Sequence, residues 1–139
     1  MAKLHLKIVS QERELLDTTV DQITLPTAEG EITVLPGHIS LVSRLQPGEL
    51  QYVNDRKSQI VVVSRGFLTI APGNEVTVMV DSAVEEREIS LVAAEKAVKR
   101  AEEIIKLSGD ERERLKAEAE LRWALIQLNI AERSKRSRL

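Results

Sequence analysis

Cysteine is absent from this 139-residue chain. That removes disulfide frameworks, thiol nucleophiles and sulfur-ligated zinc together, and it fits a reducing compartment. Aromatic residues are nearly absent as well, with one Phe, one Tyr and one Trp. Any core must therefore be built from Val, Ile, Leu and Ala, and stacking platforms for bases or sugars are not expected. Two histidines are too few for a His-rich metal site. The start, Met1-Ala2-Lys3-Leu4-His5-Leu6, lacks the apolar stretch of a signal peptide, and no run approaches the length of about 18 apolar residues needed to span a bilayer. Charge of one sign is also missing. Lys and Arg number 20 against 22 Asp and Glu, a formal net charge of −2, which offers polyanions no long-range attraction. A soluble chain without direct membrane insertion and without nucleic acid as a partner is expected.

What is present changes character near residue 85. The first 84 residues hold 7 Lys/Arg and 10 Asp/Glu, and the remaining 55 hold 13 and 12. All four prolines (Pro26, Pro36, Pro47, Pro72) and five of the six glycines lie in the first part. A strand-and-turn region thus precedes a helical one. β-branched runs recur at Leu4 to Val9, Val20 to Leu25, Glu31 to Leu35, Glu49 to Val53, Ser58 to Val63, Phe67 to Ala71 and Glu75 to Val80. Several alternate apolar and polar, the pattern of a half-buried strand. Turn signals fall at Pro36-Gly37, Pro47-Gly48, Asn54-Asp55, Arg65-Gly66 and Pro72-Gly73-Asn74. Short strands without helices between them predict an antiparallel sandwich or barrel rather than a parallel sheet. Ile60 to Val63 reads as buried on both faces.

After Val84 the period becomes 3.6. Leu91, Ala94, Val98, Ala101 and Ile105 make one apolar stripe, with Ser90 placed as N-cap and Gly109 as terminator. Asp110 is placed to cap a second helix, and the short connection predicts an αα-hairpin with helices of roughly 20 residues, about 30 Å long. Glu95/Lys99, Glu102/Lys106 and Glu118/Arg122 are i,i+4 pairs with the acid first, each worth a few tenths of a kcal/mol. The second helix has two stripes. Ala117, Leu121, Ala124, Leu125, Leu128 and Ala131 suit packing on the first helix, and Trp123, Ile126 and Ile130 lie nearly opposite. A two-helix hairpin buries only one by itself, so the second packs back on the strand region or meets a partner. The expected domains are a β-sandwich over 1–85 and a helical hairpin over 86–139.

Motifs with a catalytic mechanism are missing: no Gly-Lys-Ser/Thr phosphate loop, Gly-x-Gly-x-x-Gly, His-Glu-x-x-His or Gly-x-Ser-x-Gly occurs. Glu29-Gly30-Glu31 reads as a solvated turn rather than a metal site. His38 has no nucleophile or second acid tied to it by spacing, so a structural or interface role outweighs general-base catalysis. The basic tail Arg133-Ser134-Lys135-Arg136-Ser137-Arg138 reads as a solvated helix end whose cations suit the helix dipole. No catalytic residue, metal or cofactor is expected.

The order of motifs resembles the epsilon subunit of F-type ATP synthases, bacterial-type with the chloroplast-type as a close relative. Val9-Ser10, Glu29-Gly30-Glu31, Val34-Leu35-Pro36-Gly37-His38, Leu45-Gln46-Pro47-Gly48, Ser64-Arg65-Gly66-Phe67-Leu68 and Val76-Thr77-Val78-Met79-Val80 carry the resemblance, which Lys99-Arg100-Ala101-Glu102-Glu103 and Ala119-Glu120-Leu121 extend into the helices. It implies a flattened antiparallel β-sandwich followed by an antiparallel helical hairpin. It further implies a non-catalytic rotor subunit of the central stalk on the cytoplasmic face of the bacterial inner membrane. The sandwich would bind the gamma subunit and the c-subunit ring, with Glu31, Pro36, Gly37 and His38 at that interface. The hairpin would be mobile, reaching the alpha/beta catalytic head when extended and restraining ATP hydrolysis, with Trp123, Ile126 and Ile130 as its partner face. Members often carry Gly-Ile or a similar pair where this chain has Thr33-Val34, and a β-branched Thr does not easily replace a glycine that needs positive φ. The ATP-binding motif of some relatives is degenerate, because Ser90 stands at its acid and Ala93 at its arginine. Downstream, Arg100, Trp123 and Gln127 leave one cation, so ATP is not expected to bind. A free-standing β-sandwich binding module with a helical dimerisation hairpin is the alternative.

Overall fold

The computed structural model describes residues 2–137, without the side chain of Ser137. Met1, Arg138 at the end of the basic tail, and Leu139 lie outside the described residues. Contacts divide the chain into one compact unit ending at Glu85 and another beginning at Glu86.

The first unit is all strand. In chain order β1 is Leu4–Val9, β2 Glu14–Val20, β3 Gln22–Thr27, β4 Gly30–Val34, β5 Leu41–Leu45, β6 Gly48–Asn54, β7 Lys57–Val63, β8 Gly66–Ala71, β9 Glu75–Val80 and β10 Ala83–Glu85. They form one sheet in the order β10-β7-β6-β3-β5-β8-β9-β1-β2, with β4 added on β3. The sheet coils on itself so that β2, at one end of that order, comes alongside β6, and the inward side chains fill the space between the layers. Alternation decides which these are: Leu4, Leu6 and Ile8 of β1, Ile23 and Leu25 of β3, Leu68 and Ile70 of β8, and Val76, Val78 and Val80 of β9 are all buried in one aliphatic cluster. Val61, Val62 and Val63 are buried on both faces.

Three strands were not legible as separate runs. In β2 the adjacent Leu15 and Leu16 both pack on the core, which breaks the period-two pattern. A register shift opposite Ile8 and Val9 accommodates them. β5 turns Ser43 rather than an apolar residue toward the inner face, between half-buried Leu41 and buried Leu45. β10 has only three residues. The run Val20 to Leu25 is two strands, because Asp21 interrupts it and binds Lys3 Nζ at 3.0 Å and the Asp55 amide at 2.8 Å. One pairing is parallel, β1 on β9; these strands come from opposite ends of the unit, so no hairpin turn dictates their direction.

Two turn features set the register. Asp55 and Arg56 both have positive φ, 50° and 67°, the left-handed pair that closes a two-residue hairpin between β6 and β7. Gly66 opens β8 so close to β9 that a Cβ there would overlap the Met79 carbonyl, an approach only glycine permits.

The second unit begins with a 3-10 turn, Glu86–Glu88, followed by α1, Leu91–Leu107, and α2, Glu111–Ser137. Ser90 caps α1, its hydroxyl accepting from the Ala93 amide at 3.2 Å. Asp110 caps α2, accepting from the Arg112 amide at 3.0 Å. The helices are unequal, with 17 and 27 residues rather than about 20 each, so α2 is longer by roughly 15 Å at 1.5 Å per residue. The 3-10 turn lies against α2. The inter-helix seam buries Ala94, Val98 and Ala101 of α1 and Ala117 and Ala124 of α2.

Candidate functional site

The loop after β4 carries the Pro36-Gly37-His38 signature. Leu35 accepts a 3.1 Å hydrogen bond from the His38 amide, closing a turn, and Gly37 sits at φ 86°, a value L-residues avoid. The Gly37 amide donates to Asn74 Oδ1 at 2.8 Å, and Asn74 also accepts the His5 amide through its carbonyl at 2.9 Å. Thus the loop is anchored to the β8–β9 turn and to the start of β1. The His38 ring turns its Nδ1 to the neighbouring Ile39 carbonyl at 2.8 Å, a local bond. Around this anchored backbone the apolar side chains point outward: Leu35 is exposed and Ile39 is 78% exposed.

Glu31 lies at the other end of β4. It pairs with Pro26 next to the Thr27–Gly30 turn and is exposed. At about 3.4 Å per residue it stands roughly 10 Å along the strand from Val34. The structure therefore brings Pro36, Gly37 and His38 together and sets Glu31 apart from them. Thr33 is an ordinary strand residue facing Thr24, with the two hydroxyls 3.1 Å apart. Its backbone is not in the left-handed region, so Thr33 needs no conformation that only glycine supplies.

A second apolar surface was not singled out from the sequence. On the outer face of β5, β8, β9 and β1, Phe67 stands opposite Met79 and Met79 opposite Val9. Phe67 and Met79 are 55% and 56% exposed, and Val42 on the same face is 72% exposed. Next to them is a hollow of about 560 Å³ whose lining includes Val9, Phe67, Met79, Arg44, Arg65 and Asp81. Apolar floor with a charged rim is the composition of a protein-docking patch. The signal was present in the alternation: with Leu68, Ile70, Val78 and Val80 inward, Phe67 and Met79 must face out.

On α2, Trp123 and Ile126 are half-buried, while Ile130 is only 4% exposed. Of the stripe expected on the inter-helix seam, Ala117 and Ala124 are buried, Leu121, Leu128 and Ala131 are half-buried, and Leu125 is exposed. Both stripes of α2 are thus partly covered. Ser90 and Ala93 sit in the first turn of α1, where the Ser90 hydroxyl is engaged as the cap. Arg100 is exposed two turns further on. No described helix is long and apolar enough to cross a membrane.

Residues 3–86 match the family described as ATP synthase, Delta/Epsilon chain, beta-sandwich domain. The chain is 37% identical to the ATP synthase epsilon chain of Herpetosiphon aurantiacus over 92% of its own length and 93% of that protein. It is 34% identical to ATP synthase epsilon chain 2 of Ralstonia nicotianae over 99% of both. Among solved structures it superposes on a chain of the Euglena gracilis mitochondrial ATP synthase, in an OSCP/F1/c-ring assembly, with TM-score 0.76 and 30% identity over 91% of this chain and 79% of that one. A chain of the Tetrahymena thermophila mitochondrial ATP synthase central stalk and c-ring gives TM-score 0.61 at 14% identity, over 94% and 97%, a likeness of fold.

Proposed function

We propose, from the premise that this chain belongs to the ATP synthase delta/epsilon family, that its two units divide the work of a non-catalytic central-stalk subunit. The sandwich is the coupling element. Its outer face, where Phe67, Met79, Val9 and Val42 leave apolar surface beside Arg44 and Arg65, docks the gamma subunit. The anchored loop, with Pro36, Gly37 and His38 holding Leu35 and Ile39 outward, meets the c-subunit ring, and Glu31 extends that contact from the far end of β4. The observation that carries this reading is the concentration of large exposed apolar side chains on a sandwich whose interior is already filled.

The hairpin is the regulatory element. Extended toward the alpha/beta head, it would present Trp123, Ile126 and Ile130 and restrain ATP hydrolysis. Because Ile130 is buried in the conformation described, that use requires it to be uncovered first, a population shift of the kind partners bias by preferring one state. ATP is not its effector: Ser90 serves as a helix cap and Ala93 offers no charge. Membership of that complex supports a position at the cytoplasmic face of the bacterial inner membrane, held there by protein contacts.

Co-purification with gamma tests the central claim. Phe67→Asp together with Met79→Asp is expected to weaken gamma binding more than about tenfold, or 1.4 kcal/mol, with the sandwich still folded. Unchanged binding would remove gamma from this face, and a folded monomer that ignores gamma altogether would restore the free-standing binding module. Ile39→Asp is expected to retain gamma and lose c-ring attachment. Calorimetry with millimolar ATP is expected to show no saturable heat; a micromolar dissociation constant would overturn the assignment of Ser90.

A further inference from the structure

At the charged end of the same sheet face, His5 of β1 stands between two strands that run opposite ways. Its Nδ1 lies 2.8 Å from Glu75 Oε2 on β9, and its Nε2 hydrogen-bonds the Asp17 carboxylate on β2. Glu75 is its register partner across the parallel pair, and Asp17 sits diagonally across the antiparallel pair, opposite Lys7. Both partners are acceptors when ionised. A neutral imidazole has one N–H and would turn its lone pair toward a carboxylate, so only the imidazolium satisfies both contacts. Carboxylates on opposite sides of the ring do not converge on one point as metal ligands must, and no metal-holding cluster occurs among the described residues.

We propose that His5, as an imidazolium, is a staple that fastens edge strand β2 to β1 and β9, and that β2 loosens when the staple loses its proton.

β2 is the element this staple controls because among the described residues it pairs with β1 alone, is largely exposed or half-buried along its length, and meets β1 through an irregular register at Ile8 and Val9. Other groups on these strands reinforce the charge. Lys7 of β1 reaches Glu14 of β2 at 3.7 Å, Thr19 stands opposite His5 from β2, and from β9 Glu75 is followed by uncharged Thr77. Lys3, the other nearby cation on this segment, is taken by Asp21 and Asp55, each at 3.0 Å, and by Asn54 at 2.6 Å. Three carboxylates, Asp17, Glu75 and Glu14, therefore surround the cations Lys7 and His5. Hydrogen bonding first to Asp17 and then to Glu75 raises the His5 pKa above the ordinary 6.5, and the same contact from His5 lowers Asp17 below 3.8. For the raised group, stability is fully present below the unfolded histidine pKa and is lost as pH rises through the folded one. For the lowered group, it is present above the unfolded aspartate pKa and lost as pH falls through the folded one. The staple thus holds between these two folded values and opens on the alkaline side at His5.

Imidazole nitrogen NMR of the full chain tests this. The titration midpoint of His5 is expected to lie above that of a histidine in an unstructured peptide, with both ring nitrogens protonated below it, and Asp17→Asn is expected to lower the midpoint. Amide exchange in Glu14–Val20, corrected for intrinsic rates, is expected to lose more than about threefold of its protection as pH rises through that midpoint, with β8 amides steady. His5→Gln is expected to abolish the step. A midpoint at the peptide value, or β2 protection that stays flat across the wild-type titration, overturns the proposal. Because Asp17→Asn reads the midpoint independently, the test survives a His5 variant that does not fold.

Discussion

The sandwich and the hairpin bury different things. The sandwich core is filled by large aliphatic side chains, with Leu6, Ile8, Ile23, Leu25, Leu50 and Leu68 fully buried, each worth about 1.5–3 kcal/mol when removed from water. Among the described residues of the hairpin the buried set is Ala94, Val98, Ala101, Ala117, Ala124 and Ile130. Four of the six are alanines, whose single methyl contributes about 0.8 kcal/mol. Alanine seams let helices approach closely but supply little driving force, so helix caps and propensity matter more there. A densely filled aliphatic core on one side and a thinly driven alanine seam on the other suit the coupling element and the switch proposed above.

The largest expected effect falls on the sandwich. Leu6→Ala should cost about 2–5 kcal/mol, read as a lower urea midpoint for loss of β signal, whereas a cost under about 1 kcal/mol would mean the core is looser than its burial implies. Gly66→Ala, which drives a methyl into the Met79 carbonyl, should follow at about 1–3 kcal/mol with exchange protection lost first along β8 and β9. In the hairpin, Ala101→Leu should also cost about 1–3 kcal/mol through overpacking, but the loss should be confined to α1 and α2 amides; spread into the strands would show that the units unfold as one. Ser90→Ala should cost about 0.5–2 kcal/mol of hairpin stability and fray the first turn of α1. Smallest of all, Glu102→Gln should change stability by less than about 0.5 kcal/mol.

One deletion sharpens the same contrast in function. Removing residues from Glu86 onward leaves every strand in place, since β10 ends at Glu85 and pairs with β7. The truncated chain should fold and still bind gamma. A rise in ATP hydrolysis by the assembled head would identify the hairpin as a brake, and an unchanged rate would exclude that role.

Local pattern and tertiary structure divide the explanation cleanly in places. The caps at Ser90 and Asp110, the two helices and the strands with clean alternation were legible because neighbours within a few residues determine them. β2 and β5 were not, because Leu15-Leu16 and Ser43 violate the period until the partner strand's register is known. In the candidate site, the Pro36-Gly37-His38 turn was legible as a motif, yet its anchoring by Asn74, 37 residues away, depends on how distant strands pair. The Phe67–Met79 patch sat in the sequence as an ordinary alternation; pairing β8 with β9 and β9 with β1 turned separate outward residues into one surface.

By itself the sequence determined composition and local preference: an aliphatic core with almost no aromatic help, a change from period two to 3.6 near residue 85, two capped helices and no catalytic motif. Only the tertiary structure decided that β1 lies parallel to β9, that β2 is an edge, and that His5, Asp17 and Glu75 meet. Those residues are 12 and 70 positions apart. Local propensity acts over a turn or a strand, whereas such meetings are set by long-range register, which exists only once the whole sheet has closed.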